Sequence, residues 1–171
     1  MLDTTNFVRI KLEQSNERFP SWDKDGKRVV FQSSGKGYSQ LFLYDLLKDT
    51  LVQITTGETN KSHPVFIPNE NSIAFDASIS HEVYLFKIDP STGKQELLIH
   101  RDLQCETPSF SPSGRLMVFK GYDINNETWQ LFSYDFVYGN LNQLTHLKNS
   151  ELLMPVLSPD GKTILFGTRD K

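Results

Sequence analysis

A proline-led octapeptide recurs four times along this chain, and its spacing restricts the fold more than any other feature. Pro20-Ser21-Trp22-Asp23-Lys24-Asp25-Gly26-Lys27 returns as Pro64-Val65-Phe66-Ile67-Pro68-Asn69-Glu70-Asn71. It returns again as Pro108-Ser109-Phe110-Ser111-Pro112-Ser113-Gly114-Arg115 and as Pro155-Val156-Leu157-Ser158-Pro159-Asp160-Gly161-Lys162. The leading prolines stand 44, 44 and 47 residues apart. One repeat of this size cannot bury its own apolar face and must stack on the next. With strand-forming content, such a period belongs to propeller blades.

The residues between the prolines divide into four strands per period. Arg28-Val29-Val30-Phe31, Ser72-Ile73-Ala74-Phe75, Leu116-Met117-Val118-Phe119 and Thr163-Ile164-Leu165-Phe166 follow the octapeptides, and each ends in Phe. Continuous apolar runs without alternation predict a strand covered on both faces, as between stacked sheets. A third strand is expected at Gln40–Asp45, Glu82–Lys87 and Gln130–Asp135, and a fourth at Leu51–Thr55, Gln95–Ile99 and Leu141–Thr145. Asp25-Gly26, Ser113-Gly114 and Asp160-Gly161 sit where strand one turns into strand two, and Gly supplies the positive φ of a tight hairpin. The second repeat has Asn69-Glu70-Asn71 there, and Asn also tolerates that conformation.

The ends of the chain are uneven. Ile54 and Leu98 each precede the next leading proline by ten residues, and Ile10 stands in the same relation to Pro20, so Asn6 to Lys11 matches the fourth strand of a preceding blade. Glu151 to Lys171 holds only strands one and two. The expected organisation is an outer strand at 6–11, blades at about 17–61, 62–105 and 106–150, and a half blade at 151–171. Two closures satisfy both ends. The N-terminal strand crosses to the half blade in cis, giving a thin four-bladed ring, or two chains exchange ends in a homodimeric ring of about eight blades. The dimer is the expected form, because an isologous contact covers both raw edges at once.

Only 37% of the 171 residues are hydrophobic, but twelve Phe, six Tyr and two Trp can fill the space between sheets with few side chains. The net charge of −3 argues against generic nucleic-acid binding. Cys105 stands alone, which excludes an intrachain disulfide and a cysteine-based zinc site. No apolar run approaches the roughly 20 residues a membrane helix needs, so no membrane insertion is expected. Met1-Leu2-Asp3-Thr4-Thr5-Asn6 does not read as a signal peptide. The compartment stays open: cytoplasm as written, periplasm if a leader was removed.

No catalytic, cofactor or metal constellation stands out. Asp23-Lys24-Asp25-Gly26 has the start of a calcium loop, but the twelfth position is Ser34, not the bidentate Glu such a loop needs. His63 precedes a leading proline; its counterparts in the other repeats are Phe19, Thr107 and Met154, and one histidine cannot supply three or four ligands. His81, His100 and His146 fall at other phases. There is no Gly-x-Ser-x-Gly elbow, and no acid–histidine pair is placed to suggest a relay beside Ser33-Ser34-Gly35. The loops between strands two and three, Ser33 to Ser39 and Gly121 to Thr128, carry Tyr and flexible polar residues of the kind found at binding surfaces. Lys36, Tyr38, Tyr122, Asp123 and Asn125, together with His63, are therefore the candidate partner-binding residues.

Ser158-Pro159-Asp160-Gly161-Lys162 resembles the Ser-Pro-Asp-Gly-Lys stretch of the TolB-like, or WD40-like, propeller family, and Trp22 to Lys27 and Phe110 to Arg115 resemble it with substitutions. Phe66 to Asn71 is a degenerate copy, and the endings Ile54-Thr55 and Leu144-Thr145 are also similar to the family's. The resemblance implies an all-β propeller of four-stranded antiparallel blades, about three and a half of them here. It further implies a non-enzymatic scaffold that binds a protein or peptide, with no cofactor. The alternative is the propeller portion of a larger prolyl-oligopeptidase-like hydrolase or of a lyase, gating or holding substrate.

Overall fold

The structure, a computed structural model, describes residues 9–10, 12–35, 37–99 and 103–170. Its first sheet contains β1 (Asn16–Trp22), β2 (Arg28–Ser34), β3 (Gln40–Asp45) and β4 (Thr50–Gln53). The second contains β5 (Lys61–Phe66), β6 (Ile73–Ile79), β7 (Glu82–Ile88) and β8 (Gln95–Leu97). The third contains β9 (Cys105–Phe110), β10 (Leu116–Asp123), β11 (Thr128–Asp135) and β12 (Asn140–Gln143). The fourth is the hairpin β13 (Ser150–Leu157) and β14 (Ile164–Asp170). Every strand pairs antiparallel with its sequence neighbour, and no helix occurs among the described residues. The fold is the all-β propeller the repeat implied.

The octapeptide turns behave as local chemistry requires. Gly26, Gly114 and Gly161 have φ of 65°, 72° and 70°. The degenerate second copy reaches the same reversal by another route. Ile67 to Glu70 is closed by Glu70 N–H donating to Ile67 O at 3.3 Å, with Pro68 in its second position and Asn69, at φ 64°, in its third. A positive φ in the third position marks a type II turn, which favours Pro before it. Asn71 has a different task, accepting a hydrogen bond from Arg28 Nη1 of the first sheet at 2.9 Å.

Packing repeats with the sequence. Phe31 pairs with Phe42, Phe75 with Phe86, and Phe119 with Phe132 across β2–β3, β6–β7 and β10–β11. Their ring centroids are 6.0, 5.7 and 6.0 Å apart. The second and third Phe pairs face the preceding sheet, the first lies with Ile10 and Leu12, and the intervening residues face the following sheet. Val30 and Leu41 thus meet Ile73, Phe75 and Ile88; Leu85 and Ile99 meet Met117, Phe119 and Phe132; Val118 and Leu131 meet Leu152. Each fully buried Phe or Leu contributes about 1.5–3 kcal/mol, so these three seams hold the molecule together. Leu165 occupies the position of Val30, Ala74 and Val118; they are 0–2% exposed, whereas Leu165 is 76% exposed.

The inner strands β1, β5, β9 and β13 each pack on the next, but no strand of the first sheet packs on the fourth. The described residues form an arc, not the closed four-bladed ring considered above. Ile10 and Leu12 cover Val29, Phe31 and Tyr44 on the first sheet instead of reaching β14. The rest of the expected outer strand at 6–11 lies outside the described residues.

Candidate functional site

The leading prolines shape the axis. In all four inner strands the register slips where the proline stands: between Arg18 and Ser21, Ser62 and Val65, Glu106 and Ser109, and Leu153 and Val156. Two inner-strand residues there oppose a single Phe on strand two, which is a β-bulge. The cause is chemical, since Pro has no N–H to give the ladder. The residue before it is forced out of line: Phe19, His63 and Thr107 have φ of 53°, 49° and 55°. Such a conformation costs non-glycine residues roughly 1–2 kcal/mol and concentrates at functional sites.

The bulges bring Phe19, His63, Thr107 and Met154 together around one open cavity of about 280 Å³, whose wall is completed by Pro20, Pro64, Pro108 and Pro155 with Val65 and Val156. The wall is mostly apolar, with His63 as the one ionisable side chain among its described residues. His63 Nδ1 lies 2.9 Å from each carboxylate oxygen of Asp76. The His63 ring also packs on Phe19, centroid to centroid 4.2 Å. Asp76 belongs to β6 and is buried. Burial pushes its carboxyl above the usual range, opposed by the hydrogen bond and charge of His63 and reinforced by the charge of Glu106. Glu106 is paired with Lys120 at 2.5 Å, and Lys120 lies over the Trp129 ring. Thr107 Oγ1 is buried without a hydrogen-bond partner among the described residues.

The structure adds a contact that sequence spacing did not show. An acid–histidine pair does exist, between neighbouring strands of one hairpin. Its signal was a charged residue inside an apolar strand, Asp76 between Phe75 and Ala77. Among the described residues no hydroxyl bonds to His63. Asp23 is likewise explained by its turn. Burial would raise its carboxyl, but Arg28, through side chain and amide, and the Lys27 amide hold it below the usual range. Among the described residues no three His, Cys, Asp or Glu side chains gather as metal ligands would.

The other candidates lie apart from the axis. Tyr122, Asp123 and Asn125 line a second groove of about 320 Å³ between the second and third sheets, with Glu82, Gln104 and Gln143. Asp123 is turned inward, accepting from the Asn125 amide, Asn126 Nδ2 and Gln143 Nε2 at 3.0, 2.8 and 3.1 Å. Tyr38 is exposed on the β2–β3 loop and lines neither cavity. Lys36 and His100 lie outside the described residues. No described helix is long and apolar enough to cross a membrane.

Comparison with known proteins matches this geometry. TolB from Acinetobacter baumannii superposes with a TM-score of 0.73 at 26% identity, over 89% of this chain and 37% of its own. A protein assigned as TolB from Agrobacterium tumefaciens gives 0.78 at 20% identity, over 94% and 60%. An oligogalacturonate lyase from Vibrio parahaemolyticus shares the fold at 0.64 and 19% identity, over 88% and 45%. An uncharacterised protein of Agrobacterium fabrum is 25% identical over 149 residues, 87% of this chain and 50% of that protein. The chain therefore spans about half the length of that curated relative. Residues 1–135 match the family model of the TolB beta propeller domain. Four phased blade motifs, the stacked sheets and that match together place the chain in the TolB beta-propeller domain family.

Proposed function

We propose that the chain is a non-enzymatic binding scaffold that holds an extended, apolar stretch of a partner protein or peptide at the axial cavity. The observation that carries this reading is the convergence of the four bulge residues, Phe19, His63, Thr107 and Met154, on one mostly apolar cavity with a single ionisable group. Ligand sites commonly combine an apolar wall with few polar anchors. Met154 is exposed, so Met154→Asp should alter the site without unfolding the chain. Peptides selected from a displayed library against the native protein should bind Met154→Asp at least about tenfold more weakly, about 1.4 kcal/mol. Binding that ignores Met154→Asp but falls on Asn125→Ala would move the interface to the loop groove.

The second reading, the propeller portion of a larger hydrolase or lyase, is favoured by the His63–Asp76 pair and by the partial coverage of the longer relatives. Turnover of ester, peptide or polygalacturonate substrates that survives purification and disappears in His63→Ala would replace the scaffold by this reading. A homodimer belongs to the scaffold proposal. A second copy packed on Leu153, Val156 and Leu165 would continue the stacking of the sheets. A soluble monomer at micromolar concentration by sedimentation would remove it.

A further inference from the structure

Resting on the axial cavity as the binding site, we infer that His63 offers it an N–H from Nε2, so that its occupant presents an acceptor oxygen, carbonyl or carboxylate, carried on an apolar body. The argument is one of proton placement. Asp76 is buried and shares a side-chain to side-chain hydrogen bond with His63 alone among the described residues, with both oxygens at 2.9 Å from Nδ1. A shared proton therefore lies between carboxyl and Nδ1, and three states are to be compared. If Asp76 keeps that proton and donates to Nδ1, the imidazole's own proton is on Nε2. If His63 takes it, the imidazolium carries protons on both nitrogens. In each of these the pair is neutral overall and Nε2 is a donor. Only the state with net charge −1, an ionised Asp76 beside a neutral His63, leaves Nε2 as a bare lone pair.

The surroundings disfavour that third state. An ionised carboxylate taken out of water needs a counter-charge. The charge that reaches it is Glu106 of β9, of like sign and itself engaged by Lys120 of β10 at 2.5 Å; its own backbone amide gives it one hydrogen bond, and the Cys105 thiol of β9, also within reach of its charge, brings no positive charge. From β1, the Phe19 ring packs on His63, centroid to centroid 4.2 Å, and brings no charge to the pair. Nε2 has no partner among the described residues, while the His63 side chain remains 21% exposed and lines the cavity. A cavity wall of proline, valine and methionine side chains supplies the apolar surroundings.

Nitrogen NMR of the native protein tests this without any variant that could fail to fold. With 15N-labelled histidine, His63 Nε2 should give the shift of a protonated ring nitrogen at neutral pH. N-acetyl-phenylalanine amide and N-acetyl-phenylalanine should move that resonance, and phenethylamine, which has the ring but no acceptor oxygen, should bind at least about tenfold more weakly. Tighter binding of the free acid than of the amide assigns a carboxylate; equal binding assigns a carbonyl. A bare Nε2 overturns the inference even if selected peptides still depend on Met154. A protonated Nε2 that no probe moves up to its solubility limit, or that the amine moves equally well, also overturns it.

Discussion

In the first and third sheets one buried hydrogen-bonded unit ties strand three to strand four. Leu41 N–H donates to Thr55 Oγ1 at 2.8 Å, and Thr55 donates to Gln40 Oε1 at 2.9 Å. Leu131 N–H, Thr145 and Gln130 repeat it at 2.9 and 2.8 Å. The second sheet has Tyr84 and Ile99 in place of Gln and Thr, and its hairpin turn uses Pro68-Asn69 where the others use Gly. At the strand-two position after Phe, the three sheets carry Gln32, Asp76 and Lys120. All three sheets keep the same register and the same Phe pair. The blade that departs most from the repeat is the one that supplies the axial histidine and its carboxylate. Regularity builds the frame, and the irregular member carries the chemistry.

The largest expected effect breaks that irregular member. His63→Ala leaves Asp76 buried without its hydrogen-bond partner and should cost about 3–5 kcal/mol at neutral pH. Thr107→Ala, at the equivalent bulge, removes a hydroxyl that bonds to none of the described residues and should cost far less. In the His63→Ala protein the Asp76 carboxyl titrates above its unfolded value, because burial disfavours the charge. Stability is then present below the unfolded pKa and lost as pH rises through the folded one. Urea unfolding should show the gap between native and variant shrinking from pH 7 to pH 4. A constant gap would mean that the histidine acts through packing alone.

The turns give the next effect. A Cβ on Gly114 would sit 2.7 Å from Pro68 O of the neighbouring blade, whereas one on Gly26 would meet nothing within 4 Å; both residues have positive φ. Gly114→Ala should cost roughly 3 kcal/mol or more and Gly26→Ala roughly 1–2 kcal/mol, in thermal or urea unfolding. Equal losses would show that backbone strain, not contact between blades, governs both. Thr55→Val should cost about 2 kcal/mol by leaving the Leu41 amide and Gln40 Oε1 unpaired. Ile99→Thr should destabilise in turn, because the second sheet offers no glutamine to receive it.

The smallest effect is a chemical one. Burial pushes the Cys105 thiol from 9.0 up to about 12. Iodoacetamide should therefore leave it unmodified in the folded protein at pH 8, and modify it rapidly in urea. Since the folded pKa is the higher one, the thiol's share of stability falls as pH rises from about 9 toward about 12. Cys105→Val should lack that component.

Much of this was legible in the chain. The spacing of Pro20, Pro64, Pro108 and Pro155, the apolar runs ending in Phe and the Gly turns specify strands, register and stacking by local rules. The same phasing put Phe19, His63, Thr107 and Met154 at equivalent positions. It did not show that the prolines create bulges, which turn those four residues toward a common axis. Nor did it show Asp76 against His63, because thirteen residues separate them along the chain and only the strand pairing closes the gap. Tyr122, Asp123 and Asn125 did gather in one groove, but the inward role of Asp123 depends on Gln143 from another strand.

The division follows from the range of the forces. Turn chemistry, strand propensity and hydrophobic period act over a few residues, so the sequence alone determined what each blade is. How exposed a side chain becomes, which buried charge finds a partner and whether the arc closes depend on neighbours distant in sequence. Leu165 and Val118 occupy the same place in the repeat; one is open to solvent and the other is buried only because a further sheet packs on the third and none among the described residues packs on the fourth.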